Sequence, residues 1–173
     1  MKPWIQTYTG KTYVFENPDP GMICIEDIAH ALARINRFTG HTRQAYSVAQ
    51  HCVLCADEAP LEAKFWALMH DAAEAYVGDC TAPLKRLLPG FGELEGWASH
   101  AICSAFDFDP TDEVRKIVNE IDLRMLMTEK RDLLGEAPAD WGIPYEPYEK
   151  RIVPWDADYA EMFFKQRFNR LKP

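Results

Sequence analysis

The chain has 173 residues, 47% hydrophobic and 27% charged, which excludes an extended disordered polymer, a collagen-like repeat and a small disulfide scaffold. A single domain of this length buries about 68–70% of its unfolded surface and needs no staples. Nineteen basic residues against 27 acidic ones leave a net charge of −8, which argues against a nucleic-acid polymer as partner but permits a small phosphorylated ligand at a local cationic site.

In chain order, Trp4–Thr9 and Thr12–Phe15 alternate loosely and read as strands, with Gly10-Lys11 as a two-residue hairpin turn. Asn17-Pro18-Asp19-Pro20-Gly21 then breaks any regular structure. Ile25, Ile28, Ala29, Leu32 and Ile35 follow the helical period. Further helices are expected over Ala45–Asp57, Leu61–Tyr76 and Phe91–Phe106, with a loop and short turn over Gly78–Pro89. Asp109-Pro110-Thr111-Asp112 predicts a helix start with Asp109 as cap and Pro110 at the first position, continuing to Leu133. Its core face is Val114, Ile117, Val118, Ile121, Met125 and Leu126. Residues 136–154 are proline-rich and irregular, and a last, strongly aromatic helix spans Ala157–Leu171. The expectation is one all-α domain over residues 1–173. It comprises a short N-terminal β-hairpin and turn (1–21), a catalytic helical core (22–135), and an irregular segment with a C-terminal helix (136–173).

The five cysteines are an odd number, no segment reads as a secretory signal, and no stretch approaches a membrane span. Reduced thiols in the cytoplasm are the expectation, with no membrane partner. Cys52-Val53-Leu54-Cys55 lacks a second pair for zinc and reads as buried packing.

His70-Asp71 carries the chemical argument. It lies in Leu68-Met69-His70-Asp71-Ala72-Ala73-Glu74-Ala75-Tyr76, a segment whose flanks are apolar or small, so its imidazole and carboxylates need partners. A divalent cation satisfies them. His51, among apolar neighbours on the preceding helix, and Asp122, beside the core stripe of the long helix, offer two more ligands. Taken singly, a core His is more often a hydrogen-bonded structural residue, and Asp122 reads as well as a partner of Arg124 or a cap. Together they form a mixed N/O set for one divalent ion: Co, Mn, Zn, Fe or Ni, with Mg also admitted.

These residues resemble the fingerprint of the HD-domain phosphohydrolases: His, then His-Asp, then Asp. The likeness is to the small bacterial and phage branch that hydrolyses nucleotides. Arg37-Phe38-Thr39-Gly40-His41, Tyr46-Ser47-Val48-Ala49-Gln50-His51, Leu68 to Tyr76, Gly78-Asp79-Cys80-Thr81-Ala82-Pro83-Leu84-Lys85 and Glu120-Ile121-Asp122 carry it. The resemblance implies a metal held by His51, His70, Asp71 and Asp122, with Glu74 and Asp79 handling water and proton transfers. It also implies Arg37 as a phosphate contact, followed by the aromatic Phe38. His51 and His70 stand 19 residues apart, closer than in many relatives, and His41 has no assigned role.

Hydrolysis of a phosphate ester needs a nucleophilic water, neutralised phosphate oxygens and a protonated leaving group. Glu74 and Asp79 are the candidates for base and acid. Arg37 offers a planar fork to phosphate oxygens, and Lys85 adds charge; a surface role for Lys85 and a turn-capping role for Asp79 stand beside these. Phe38 is a candidate to stack on a base, while Trp66 reads as core. The expected substrate is a small nucleotide. Removal of the 5′-phosphate from a deoxynucleoside monophosphate is favoured over release of triphosphate from a deoxynucleoside triphosphate. A non-catalytic nucleotide-sensing module is the reading from another class. The aromatic last helix suggests a homo-oligomer.

Overall fold

The computed structural model describes residues 2–173; its only sheet among them is one antiparallel hairpin, and the other regular elements are helices. Met1, the first residue of the expected hairpin segment, lies outside the described residues. The fold is all-α with a short β-ornament.

β1 (Trp4–Gln6) and β2 (Thr12–Val14) pair Trp4 with Val14, Ile5 with Tyr13 and Gln6 with Thr12. The strands are shorter than expected, and the turn is not the two-residue Gly10-Lys11. Thr7 N donates to Lys11 O at 2.9 Å, Gly10 N donates to Thr7 O at 3.0 Å, and Gly10 sits at φ +84°. A three-residue loop with a left-handed glycine therefore closes the hairpin. The loop is pinned to the helical body by buried Asp27, which accepts from Thr9 N at 2.7 Å and Thr9 Oγ1 at 2.9 Å. Fully buried Tyr13 stacks on Tyr76, with ring centroids 4.2 Å apart.

α1 (Ile25–Arg34) buries Ile28, Ala29, Leu32 and Ala33. α2 (Val48–Glu58) is the central helix, buried from Val48 to Val53 and again at Cys55 and Ala56, as expected of a helix apolar on nearly every side. It begins at Val48 rather than Ala45, because Ser47 is extended and its hydroxyl accepts from Gln50 N at 3.2 Å. The excursion between α1 and α2 is closed at its neck by Val48 N to Ile35 O at 3.0 Å and Arg37 N to Tyr46 O at 2.9 Å.

The expected helix over Leu61–Tyr76 is broken. A 3₁₀ turn (Leu61–Ala63) leads into α3 (Lys64–Met69), and α4 (Glu74–Val77) follows after four residues of tight turn. Ala72 N bonds Met69 O and Glu74 N bonds Asp71 O, each at 3.0 Å, in place of the α-helical partners. The cause is visible at His70, whose Nδ1 lies 2.8 Å from Ala67 O, the carbonyl that a continuous helix would give to the Asp71 amide.

α5 (Ala82–Lys85) and α6 (Phe91–Ala105) precede the long α7 (Asp112–Leu133). The cap of α7 is Thr111, whose hydroxyl accepts from Val114 N at 3.3 Å, and not Asp109; Pro110 stands before the helix and gives its carbonyl to Arg115 Nε. Residues 136–154 carry no regular structure, but their second half is strapped down by side chains. Thr128 Oγ1 accepts from Tyr148 N, Asp132 accepts from Ile152 N, and Gln50 donates to Val153 O and accepts from Trp155 N, all at 2.8–2.9 Å.

α8 (Ala157–Leu171) packs on α1, α2 and α3. Its aromatic stripe turns inward: Phe164 and Phe168 are buried, and Phe168 meets Phe65 and Phe106. Tyr159 and Met162 remain on the surface. Among the described residues, no helix is long and apolar enough to cross a membrane, and all five cysteines are free.

Candidate metal centre

α2, the turn after α3, and α7 direct polar side chains to one point at the edge of the core, from fully buried His51 to part-exposed Asp71 and Asp122. His51 Nε2 lies 3.3 Å from His70 Nε2, 3.2 Å from Asp122 Oδ1 and 3.6 Å from Asp71 Oδ2. His70 Nε2 is 3.4 Å from the same Asp71 oxygen. Donor atoms held about 2.0–2.2 Å from a shared ion stand roughly 3.0–3.6 Å apart, so these separations fit one small cation.

The outer nitrogens strengthen that fit. His51 Nδ1 faces Glu129 Oε1 at 2.6 Å, and His70 Nδ1 faces Ala67 O at 2.8 Å. Both partners are acceptors, so each ring carries a proton on Nδ1. Two neutral rings in that tautomer would oppose their Nε2 lone pairs across 3.3 Å. A cation or a proton must lie between them. Burial and the Arg37 charge press His51 towards neutrality, but Cys55, Glu129 and Asp122 outweigh them and raise its pKa well above the imidazole range. Burial likewise opposes ionisation of Asp122, yet the His51 hydrogen bond and the His51, His70 and Arg37 charges hold it well below the ordinary carboxylate range.

The sulfurs of Cys52 and Cys55 also reach this point. His51, Cys55 and His70 form one group, and Cys52, His70 and Asp71 another, with ligand atoms within 4.8 Å of one another. A buried His/Cys/Asp group at metal-binding distance is therefore present. Cys55 Sγ is 3.6 Å from His51 Nε2 and 4.0 Å from Nδ1, so it rests against the ring and off the line of the Nε2 lone pair. The C-x-x-C pair, expected as plain packing, is fully buried but forms the floor of the polar cluster.

Arg37 lies over the cluster with its side chain 11% exposed, Nη1 at 3.4 Å from Asp71 Oδ2 and Nε and Nη2 at 3.2 and 3.1 Å from Glu129 Oε2. Phe38 and Thr39 follow it in the left-handed region, at φ 54° and 52°, a strained conformation for side-chain-bearing residues. The Arg37 guanidinium is 5.5 Å from the Phe38 ring centre, and the Trp141 and Phe38 ring centres are 6.4 Å apart. Trp141, from the irregular segment, was not legible as a neighbour of Phe38. His41 is exposed, and Trp66 packs against Phe108 and the core, as expected.

Glu74 is buried, with Oε2 lacking any hydrogen-bond partner. Burial first, then the charges of Asp71 and Asp79, push its pKa up to about 9. Burial and Asp71 also raise Asp79, against the pull of Arg37 and Lys85. Gly78 at φ +83° ends α4 and turns the chain so that Asp79 follows directly. Two carboxylates driven upward beside a ligand cluster are suited to proton transfer. Lys85 Nζ bonds Glu95 Oε1 at 2.6 Å and lies 5.8 Å from the Phe91 ring centre, while its charge also acts on Glu74 and Asp79.

Glu129, fully buried, is the member that sequence reasoning missed. A signal existed, since Asp122, Met125 and Glu129 lie three and four residues apart on one face of α7, and an acid in that stripe needs a partner.

No family model matches the chain. It is 40% identical over 172 residues to the uncharacterized protein YfdR of Escherichia coli, an alignment covering 97% of this chain and 95% of that one. An uncharacterized protein of Rhodobacter capsulatus is 36% identical over 111 residues, 58% of this chain and 57% of the other. The chain belongs to the YfdR family.

Proposed function

We propose that this chain is a divalent-metal-dependent phosphohydrolase of the HD-domain type that removes the 5′-phosphate from deoxynucleoside monophosphates. The observation that carries the reading is the pair of facing imidazoles. His51 and His70 each commit Nδ1 to an acceptor and turn Nε2 towards the other, with Asp71 beside both nitrogens and Asp122 beside that of His51. Those four residues would hold the ion. When bound, it supplies positive charge that polarises a phosphate and favours ionisation of a nearby water. The donor set accommodates Mn, Fe, Co, Ni or Zn, with Mg less suited to two imidazoles.

The chain's own residues supply the rest. A purely structural metal site has no use for Glu74, a buried carboxylate with an unpartnered oxygen whose pKa stands at about 9. In the proposed reaction a water oxygen bonds to phosphorus while the bond from phosphorus to the 5′-oxygen breaks. The water proton passes to one carboxylate of the Glu74–Asp79 pair, and the departing oxygen takes a proton from the other. Arg37 offers a guanidinium to the phosphate oxygens from its seat on Glu129. Phe38 presents a ring beyond Arg37 for the sugar or base.

The cations support one phosphate rather than three. Arg37 is shared with two carboxylates and Lys85 is held by Glu95, which leaves little free positive charge for a triphosphate tail. Five free thiols support a cytoplasmic setting. The test is a panel of nucleotides incubated with Mn²⁺ or Co²⁺ and separated by chromatography. Deoxynucleoside and inorganic phosphate are expected. Inorganic triphosphate would move the chain to the triphosphate branch, and binding without turnover across several metals would make it a sensor.

A further inference from the structure

We infer that Glu129 is a positioning residue that fixes the metal-binding tautomer of His51 and the orientation of Arg37 at the same time. The inference rests on the metal-site reading above and goes beyond it, because Glu129 is neither an expected ligand nor an expected acid or base. Its two oxygens divide between two different tasks. Oε1 lies 2.6 Å from His51 Nδ1, and Oε2 accepts from Arg37 Nε at 3.2 Å and stands in ionic contact with Nη2 at 3.1 Å. The carboxylate is wholly inaccessible, so both partners meet it without competition from water. It is held in turn by α7, one helical turn beyond Met125 and two beyond Asp122, on the face that also supplies a ligand.

The chemistry of each oxygen is specific. A carboxylate at His51 Nδ1 can only accept, so the ring proton stays there and the Nε2 lone pair stays turned to His70 and Asp122. At the other oxygen, the planar guanidinium is gripped on two of its nitrogens, which leaves Nη1 directed towards Asp71 at 3.4 Å. Metal ligand and phosphate ligand are thus referenced to one carboxylate. A glutamine in the same place cannot serve both. If its carbonyl accepts from His51, its amide N–H groups confront the guanidinium. If the amide is reversed, it donates to His51 Nδ1 and moves the ring proton to Nε2.

The test is E129Q beside E129D and the unaltered protein. Co²⁺ affinity is followed by the visible absorption of the ion, and inorganic phosphate affinity of the Co²⁺-loaded protein by calorimetry. Loss of a carboxylate behind a metal histidine typically costs about 10–100-fold in metal affinity. We expect E129Q to fold, with helical circular dichroism near the unaltered protein, and to lose at least about ten-fold in Co²⁺ or phosphate affinity. E129D, which keeps the charge, should recover part of that loss. A folded E129Q that binds Co²⁺ and phosphate as the unaltered protein does, with only a lowered melting temperature, overturns the inference. Should neither variant fold, long-range ¹H–¹⁵N spectra of the unaltered protein loaded with Zn²⁺ decide: His51 protonated at Nδ1 is expected, and protonation at Nε2 overturns it. Failure of the unaltered protein to bind Co²⁺ is a separate result, which removes the metal site itself.

Discussion

His51 and His70 bring their Nε2 atoms to 3.3 Å while each Nδ1 faces an acceptor. Two side chains 19 positions apart, one on α2 and one in the turn after α3, thereby create a pair of lone pairs with a single shared destination. Asp71 places a carboxylate oxygen 3.6 and 3.4 Å from these two nitrogens, and Asp122 places one 3.2 Å from that of His51. Substitution of His70 or Asp122 by alanine should leave a folded protein that retains no transition metal after desalting, and should abolish turnover. Elemental analysis with circular dichroism separates loss of the ion from loss of the fold.

Glu74 should behave differently. It belongs to the carboxylates beside the ligand cluster and not to the ligand set, so E74Q should keep the metal and lose about 10²–10⁴ in rate, the usual contribution of a positioned acid or base. Metal content and the rate constant at saturating substrate are the paired readouts. Normal hydrolysis by E74Q removes Glu74 from the mechanism.

The raised Glu74 pKa also has a consequence for stability in metal-free protein. An acid whose folded pKa, about 9, exceeds its unfolded value of 4.5 holds its proton more tightly when folded. Its ionisation therefore weakens the fold progressively as pH rises from about 4.5 to about 9. E74Q lacks the group, so its advantage over the unaltered protein should be small at pH 5 and grow steadily between pH 5 and pH 8. Urea titrations with chelator present at the two pH values measure it.

Proton and metal compete for His51, whose pKa is raised well above 6.5 by Cys55, Glu129 and Asp122 against burial and Arg37. Co²⁺ binding at pH 7 should therefore release protons, and affinity should fall as pH falls. Calorimetry in buffers of different ionisation enthalpy reads the proton count. Binding heat that is independent of buffer contradicts it.

The strap over residues 148–155 depends on Gln50, whose amide bonds Val153 O and Trp155 N, each at 2.8 Å. Q50A removes two hydrogen bonds and should destabilise the protein by about 1–3 kcal/mol. Limited proteolysis should then cut first between residues 148 and 155.

Much of this arrangement was readable from the chain alone, for local reasons. His70-Asp71 sits in an apolar segment where charge needs a partner, and Asp122 adjoins the core stripe of the long helix. Helix existence followed from periodicity, as at Ile28 and Leu32 in α1. The misses are contacts that periodicity does not encode. The break after Met69 arises because the His70 side chain takes the Ala67 carbonyl. Trp141 reaches Phe38 from the far side of the sequence. Glu129 was hidden for a related reason, since its two partners, Arg37 and His51, are 92 and 78 residues away.

Metal stoichiometry tests the central claim most directly. Protein reconstituted with Co²⁺ and desalted should contain one ion per chain, while H51A and D122A prepared alongside should contain none. An unaltered protein that holds no ion after reconstitution, or a D122A protein that holds one as tightly, would contradict the account.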